Sequence, residues 1–174
     1  QELKDNNITV VFSAGNDSSN LDSDGTTDES ELSSVIGVGA SSVENDITSY
    51  SNYGSQIDLI APAGGNTTDG LLGVLSLDLT GTNGINTSTQ LGLVNYNYSF
   101  VQGTSFSAPT VSGVVALLLA AKPTLTANEI RQILIDTADK VGTSNGADYS
   151  VNNFDVKRAY GKINAGNAVT EALK

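Results

Sequence analysis

Most of what this chain can become is decided between Gly103 and Ala121. The run Gly103-Thr104-Ser105-Phe106-Ser107-Ala108-Pro109 leads straight into an apolar segment, Val111 to Ala121. Gly103 and Thr104 read as a turn, with Ser105 and Pro109 at the start of a helix, where a first-turn proline sacrifices no hydrogen bond. Val111, Val114, Val115, Leu117, Leu118 and Leu119 make the helix apolar on nearly all sides, while Gly113 and Ala116 permit close packing. A buried central helix is expected. A serine at such a point admits two uses. It is an ordinary cap on a core helix, or it is a nucleophile, held where unpaired N–H groups and the positive end of the helix dipole face a developing negative charge.

The words around the serine favour the second use. Gly103 to Pro109, followed by Val111-Ser112-Gly113, resembles the nucleophile motif of the subtilisin-like serine proteases, the subtilases. Far upstream, Val10-Val11-Phe12-Ser13-Ala14-Gly15-Asn16 is similar to the family's strand that ends in the oxyanion-hole asparagine. Ser34 to Ala40, Tyr50-Ser51-Asn52-Tyr53-Gly54, Asp58 to Pro62 and Tyr160 to Ala165 follow in the family's order, so the resemblance covers nearly the whole chain. It implies Ser105 as nucleophile, with the Asn16 amide and the Ser105 N–H forming the oxyanion hole. Ser13, Ala14 and Gly15 match one wall of the family's principal specificity pocket. Thr110 stands where the family usually has a non-catalytic histidine, a departure that leaves the site intact.

A larger departure is compositional. The 174 residues contain no histidine, and a serine triad needs an imidazole as general base. Gln1 to Asn7 reads as the last turn of a helix entering a strand, like a cut through a longer domain. The expectation is therefore the C-terminal part of a subtilase catalytic domain, an α/β fold with a mostly parallel sheet flanked by helices. Aspartate and histidine would come from an upstream half, and this chain alone would be inactive. The substrate implied is a protein or peptide, and secretion is implied by the family alone. Two rivals stay open: a sedolisin-like acid protease, which uses glutamate as base and an oxyanion-hole aspartate, and a non-catalytic structural or binding module of the same fold. Asn16 after Ala14-Gly15 argues against the first.

Ile8 to Ala14 is a short, β-branched run between Asn7 and Gly15, as expected of a strand buried on both faces. Val35 to Ala40 and Ile57 to Ala61 are two more, the latter stopped by Pro62. Residues 63–102 are longer than a family member needs there and read as an inserted loop. Within it Val74 to Leu77 and Tyr98 to Val101 are expected to pair as antiparallel strands. Thr126 followed by Glu129 is a capping box for a helix striped with Ile130, Ile133 and Leu134. Asn164 caps a last helix with Ala165, Ala168, Val169 and Ala172 inward.

The net charge of −11, from eight basic and nineteen acidic residues, argues against nucleic acid and anionic membranes as partners. The longest apolar run, Val114 to Ala121, is shorter than the ~20 residues of a membrane span. With no cysteine there are no disulfides or thiolate metal sites. Much of the acidity sits in Asp17 to Glu31. Counted from Asn20, Asp22, Asp24, Gly25, Thr26, Asp28 and Glu31 take the third, fifth, sixth, seventh, ninth and twelfth places of an EF-hand-like calcium loop. The alternative is a solvated acidic loop. Asp58 is an acid in a buried strand: either a hydrogen-bonded strand-end carboxylate or, as in some subtilases, a calcium ligand beside the carbonyls of Ser33 and Val35. No cofactor is required for the chemistry, and a structural calcium is the group these carboxylates suggest. The edge of the first strand and an exposed apolar face of the Val111–Ala121 helix are expected to favour self-association or a complementary N-terminal fragment.

Overall fold

The computed structural model describes residues 2–23, 25, 27–64, 73–85 and 97–174. Three short strands form a parallel sheet in the order β1 (Val11–Ser13), β2 (Ile36–Ser41), β3 (Leu59–Pro62). Val11 pairs with Ile36 and Ser13 with Val38, while Val38 pairs with Leu59 and Ser41 with Pro62. β2 is the middle strand, and all six of its residues are buried, as a parallel strand covered on both faces must be. The free side of β3 is closed by the segment 160–163, which runs parallel to it: the Ile60 N–H donates to the Gly161 carbonyl and the Ile163 N–H to the Ile60 carbonyl, each at 3.0 Å. No described strand pairs with the other side of β1.

The inserted stretch supplies a separate antiparallel ribbon, β4 (Val74–Leu77) with β5 (Tyr98–Val101), pairing Val74 with Val101 and Leu77 with Tyr98. β5 hands the chain to α2 (Thr104–Ala121), the longest helix. α2 is less buried than its composition suggests. Val111, Val114, Val115 and Leu118 form one buried stripe packed on the sheet, but Leu117 is 52% exposed and Leu119 38%. Its length and apolarity would suffice to cross a membrane, yet the buried stripe belongs to the protein's own core. The exposed side has no described element against it.

α3 (Ala127–Asp136) and α4 (Ala165–Ala172) complete the layer. The capping box at Thr126 forms in both directions, and the Asn164 side chain caps α4 through the Asn167 N–H. Ile130, Leu134, Ala168 and Ala172 join Ile36, Val38, Leu59 and the α2 stripe in a single apolar core. A short helical turn, α1 (Glu2–Asp5), precedes β1.

Away from the sheet, Arg158 ties three loops together. Its guanidinium donates to both oxygens of Asp46, at 2.6 and 3.1 Å, to Asp155 at 3.3 Å and to the Asn145 carbonyl at 3.4 Å. The Arg158, Asp46 and Asp155 side chains are 7%, 15% and 10% exposed. Burial pushes the Asp46 carboxyl up, but Arg158, the Asn145 amide and the Ile47 N–H outweigh it and hold the group below the ordinary carboxylate range. Asp155 behaves alike: burial raises it, and the N–H groups of Asp148, Arg158 and Lys157, with the Arg158 charge, bring it down.

Candidate active site

The carboxyl end of β1 and the start of α2 meet at the residues singled out by the sequence. Asn16 follows β1 on a turn made by Gly15, whose φ of +93° is open to glycine and strained for other residues. The Asn16 Oδ1 accepts the Thr104 N–H at 2.8 Å and the Thr104 hydroxyl at 3.1 Å. The same hydroxyl accepts the Gly15 N–H at 3.1 Å. Because an N–H can only donate, the Thr104 backbone fixes which end of the Asn16 amide faces it, and the Nδ2 donors are turned the other way.

α2 begins without a side-chain cap: Gly103, at φ +133°, stands in the capping position. The first N–H groups of a helix have no partner inside it. Here Thr104 spends its N–H on Asn16, and Phe106 donates to the Gly103 carbonyl at 2.9 Å. The Ser105 N–H and Oγ have no hydrogen-bond partner among the described residues, and Ser105 is exposed. A methyl group added at Gly103 would lie 3.4 Å from Ser105 Oγ and 3.6 and 3.7 Å from Asn16 Oδ1 and Nδ2, so the hydroxyl and the end of the amide border one small space. A free hydroxyl, a free backbone N–H and an amide donor around one point suit nucleophilic attack with capture of the resulting oxyanion.

Helix α2 opens at Thr104, so Pro109 lies in its second turn instead of the first, and the Ser105 carbonyl receives no i+4 hydrogen bond from it. Ser107 compensates as an anchor. Its hydroxyl is fully buried and donates to the Ala61 carbonyl at 3.1 Å, pinning the start of α2 to the end of β3.

Sequence reasoning missed three residues that shape this site. Thr104 was visible only as a turn former, though its place beside the serine was the available signal. Tyr50 stood out only as part of the Tyr50–Gly54 match, but its half-buried hydroxyl accepts the Gly103 N–H at 3.1 Å and donates to the Ala63 carbonyl at 3.1 Å. Burial pushes its phenol above the ordinary tyrosine range, against the opposing pull of the Gly103 N–H. Asn52, 6% exposed, receives the N–H groups of Asp17 and Ser19 on its amide oxygen.

The acidic candidates among the described residues each have partners within the protein. Asp22 accepts from the Ser55 N–H and hydroxyl, the latter at 2.6 Å. Asp28 and Glu31 form a reciprocal capping box on the short helical turn Glu29–Glu31. Asp24 lies outside the described residues. Asp58 is 1% exposed; one oxygen pairs with Arg131 at 2.5 Å and the other accepts the Gly37 N–H at 3.0 Å, so its positive partner is a guanidinium. No group of three or more such ligands converges on one point among the described residues. Asp22, Asp28, Glu31 and Asp58 are thus engaged by protein groups in this structure.

The comparisons with known proteins agree with this geometry. A model described as the subtilase family, peptidase S8, matches residues 1–162. A calcium-dependent protease of Trichormus variabilis is 32% identical over 94% of the chain, and a probable subtilase-type serine protease of Deinococcus radiodurans 34% identical over 90%. The chain spans only 24% and 20% of those two proteins. Among solved structures, a lanthipeptide protease superimposes with a TM-score of 0.79 at 29% identity, over 97% of this chain and 52% of that one. Fervidolysin from Fervidobacterium pennivorans, described as a keratinolytic enzyme related to subtilisin, gives 0.68 at 25% identity over 96% of this chain and 23% of its own. With its parallel sheet, its ordered motifs and a family match over nearly its whole length, this chain belongs to the subtilase family of serine proteases.

Proposed function

We propose that Ser105 is the nucleophile of a serine endopeptidase, with Asn16 Nδ2 and the Ser105 N–H as its oxyanion hole. The base comes from outside these 174 residues, since they contain no histidine. The observation that carries the proposal is the orientation of Asn16. Thr104 holds its oxygen, which leaves its N–H donors for the space that Ser105 Oγ also borders. In the reaction, Ser105 Oγ attacks the peptide carbonyl carbon and its proton passes to an imidazole. The carbonyl oxygen becomes an oxyanion held by the two donors. The C–N bond breaks as the imidazole returns the proton to the departing amine, and water hydrolyses the acyl-serine by the same steps. No step calls on a metal ion.

The substrate class is a protein or peptide, in line with the protease names of the relatives. Secretion is the matching location; one relative, from Dichelobacter nodosus, is named an extracellular basic protease. The bare edge of β1 and the outward face of α2 would receive the residues that bring the base.

The missing histidine favours one competing reading, a subtilase-fold module without activity. A serine-directed fluorophosphonate, applied to the complete gene product and separately to residues 1–174, decides between them. Labelling mapped to Ser105 in the complete product alone is the expected result. Labelling in neither supports the inactive module, and labelling in both means that no external base is needed.

A further inference from the structure

The segment Ser49–Tyr53 touches both sides of the candidate site, and neither side touches it by chance of sequence proximity. Toward the asparagine side, the Asn52 N–H donates to the Gly15 carbonyl at 3.0 Å, and its Oδ1 accepts the Asp17 N–H at 2.8 Å and the Ser19 N–H at 3.0 Å. Its Nδ2 donates to Asp17 Oδ2 at 3.3 Å. The residues immediately before and after Asn16 are thus both held by Asn52. The contact is close: a methyl on Gly15 would fall 2.5 Å from Asn52 Nδ2. Neighbouring backbone adds to the grip, because the Ser18 N–H donates to the Tyr50 carbonyl at 2.9 Å and the Tyr53 N–H to the Ser19 carbonyl at 3.0 Å.

Toward the serine side, Tyr50 reaches the residue that opens α2. Its hydroxyl accepts from Gly103 N, which also donates to the Ala63 carbonyl at 3.0 Å, and the hydroxyl donates to that same carbonyl. Gly103, Ala63 and the phenol thereby form a closed triangle. Gly103 precedes Thr104, whose N–H and hydroxyl orient Asn16, and Ser105, the proposed nucleophile. A neutral phenol can accept from one group and donate to another at once, and burial pushes the Tyr50 phenol above its ordinary range.

We infer that Tyr50 and Asn52 are positioning residues that hold the two donors of the oxyanion hole in register. Tyr50 fixes the Ser105 N–H through Gly103, and Asn52 fixes Asn16 through Gly15 and Asp17. This rests on the assignment of Ser105 and Asn16 made above. The physical reason is that an oxyanion donor works through fixed placement, and a displacement of about 1 Å costs up to a hundredfold in rate. Neither residue need touch substrate for its loss to be felt in turnover.

The test uses the complete gene product and a chromogenic peptide substrate, with kcat and KM measured separately. Tyr50→Phe removes one oxygen and keeps the ring; kcat should fall about tenfold with KM within about twofold, since ground-state binding is untouched. Asn52→Ala should lower kcat at least as far. The two-site test is a cycle with Asn16→Ala: once Asn16 is gone, Asn52→Ala should cost almost nothing more, because its effect passes through Asn16. A merely structural role predicts additive losses that track the melting temperature, and that result overturns the inference. Unchanged kcat in Tyr50→Phe also overturns it, and stands alone as the deciding measurement if Asn52→Ala does not fold. Ser105→Ala, run alongside, separates this inference from the one beneath it. If that variant keeps its activity, or the wild type has none, the nucleophile assignment falls and takes the positioning role with it. If it is inactive while Tyr50→Phe and Asn52→Ala behave as wild type, only the positioning role falls.

Discussion

Arg158→Met removes the guanidinium that joins Asp46, Asp155 and the Asn145 carbonyl while filling most of the same volume. Losing one partner of a buried ion pair costs about 3–5 kcal/mol, because the other charge is left buried and unpaired. Here the lower end applies. Asp46 keeps the Asn145 amide and the Ile47 N–H, both at 2.7 Å, and Asp155 keeps the N–H groups of Asp148, Lys157 and residue 158. A loss of about 3 kcal/mol follows, equivalent to a drop in melting temperature of roughly 6–12 °C for a domain this size. Urea unfolding monitored by far-ultraviolet circular dichroism suits a chain with no tryptophan. The midpoint should fall with an unchanged slope. Raising the salt concentration should not erase the difference, since Arg158 is only 7% exposed. A loss below about 1 kcal/mol would place this cluster with ordinary surface pairs and refute the reasoning.

The same cluster sets an acid limit. Asp46 and Asp155 have lowered values in the folded state. Their contribution is therefore complete above the unfolded carboxylate value of about 3.9 and is lost as pH falls through the lowered folded values. Stability measured from pH 5 downward should fall less steeply in Arg158→Met than in the wild type. Gly103→Ala combines a strained φ with a methyl placed in contact with Ser105 Oγ and the Asn16 amide, in the space the oxyanion would need; fluorophosphonate labelling of the complete gene product should slow by roughly a hundredfold or more, comparable to loss of an oxyanion donor. Near-normal labelling would mean that those atoms do not share a reaction site. Asp28→Ala removes the cap on the Glu29–Glu31 turn and should cost about 1 kcal/mol by thermal unfolding. The loss should be equal with calcium and with chelator, and a loss seen only with calcium would restore a metal role to this carboxylate.

Legibility followed sequence distance. The capping box at Thr126 and Glu129 and the Asn164 cap were readable because short-range chemistry specifies them, and the pairing of Val74–Leu77 with Tyr98–Val101 because both runs alternate as strands do. β1 was expected over Ile8 to Ala14 and is Val11–Ser13; Val10 and Ala14 each add one hydrogen bond to β2 at its ends, and Ile8 and Thr9 pair with nothing on it. In the acidic loop the spacing had a second meaning: Asp28 and Glu31 are three apart, as a capping box requires, and they form one. Hydrophobicity suggested burial of α2 on nearly every side, but burial depends on what lies opposite, and the described residues cover one stripe. Asn16 and Ser105 were recognisable as words. The Thr104 bond that orients Asn16, the Arg131 partner of Asp58 and the pairing of Arg158 with Asp46 were not, since each joins residues more than seventy positions apart and leaves no periodic trace.

Asn16 and Thr104 meet across 88 positions of chain, Tyr50 and Gly103 across 53, and Asn52 and Asp17 across 35. Closing such loops costs entropy that is recovered only when the sheet beneath them exists. Helices α3 and α4 can form from neighbouring residues, but the setting of Ser105 cannot. The reactivity proposed for Ser105 therefore depends on these long-range contacts, and without them its hydroxyl is an ordinary one. For a molecule whose proposed substrate is polypeptide, that dependence protects unfinished copies of itself from being cut.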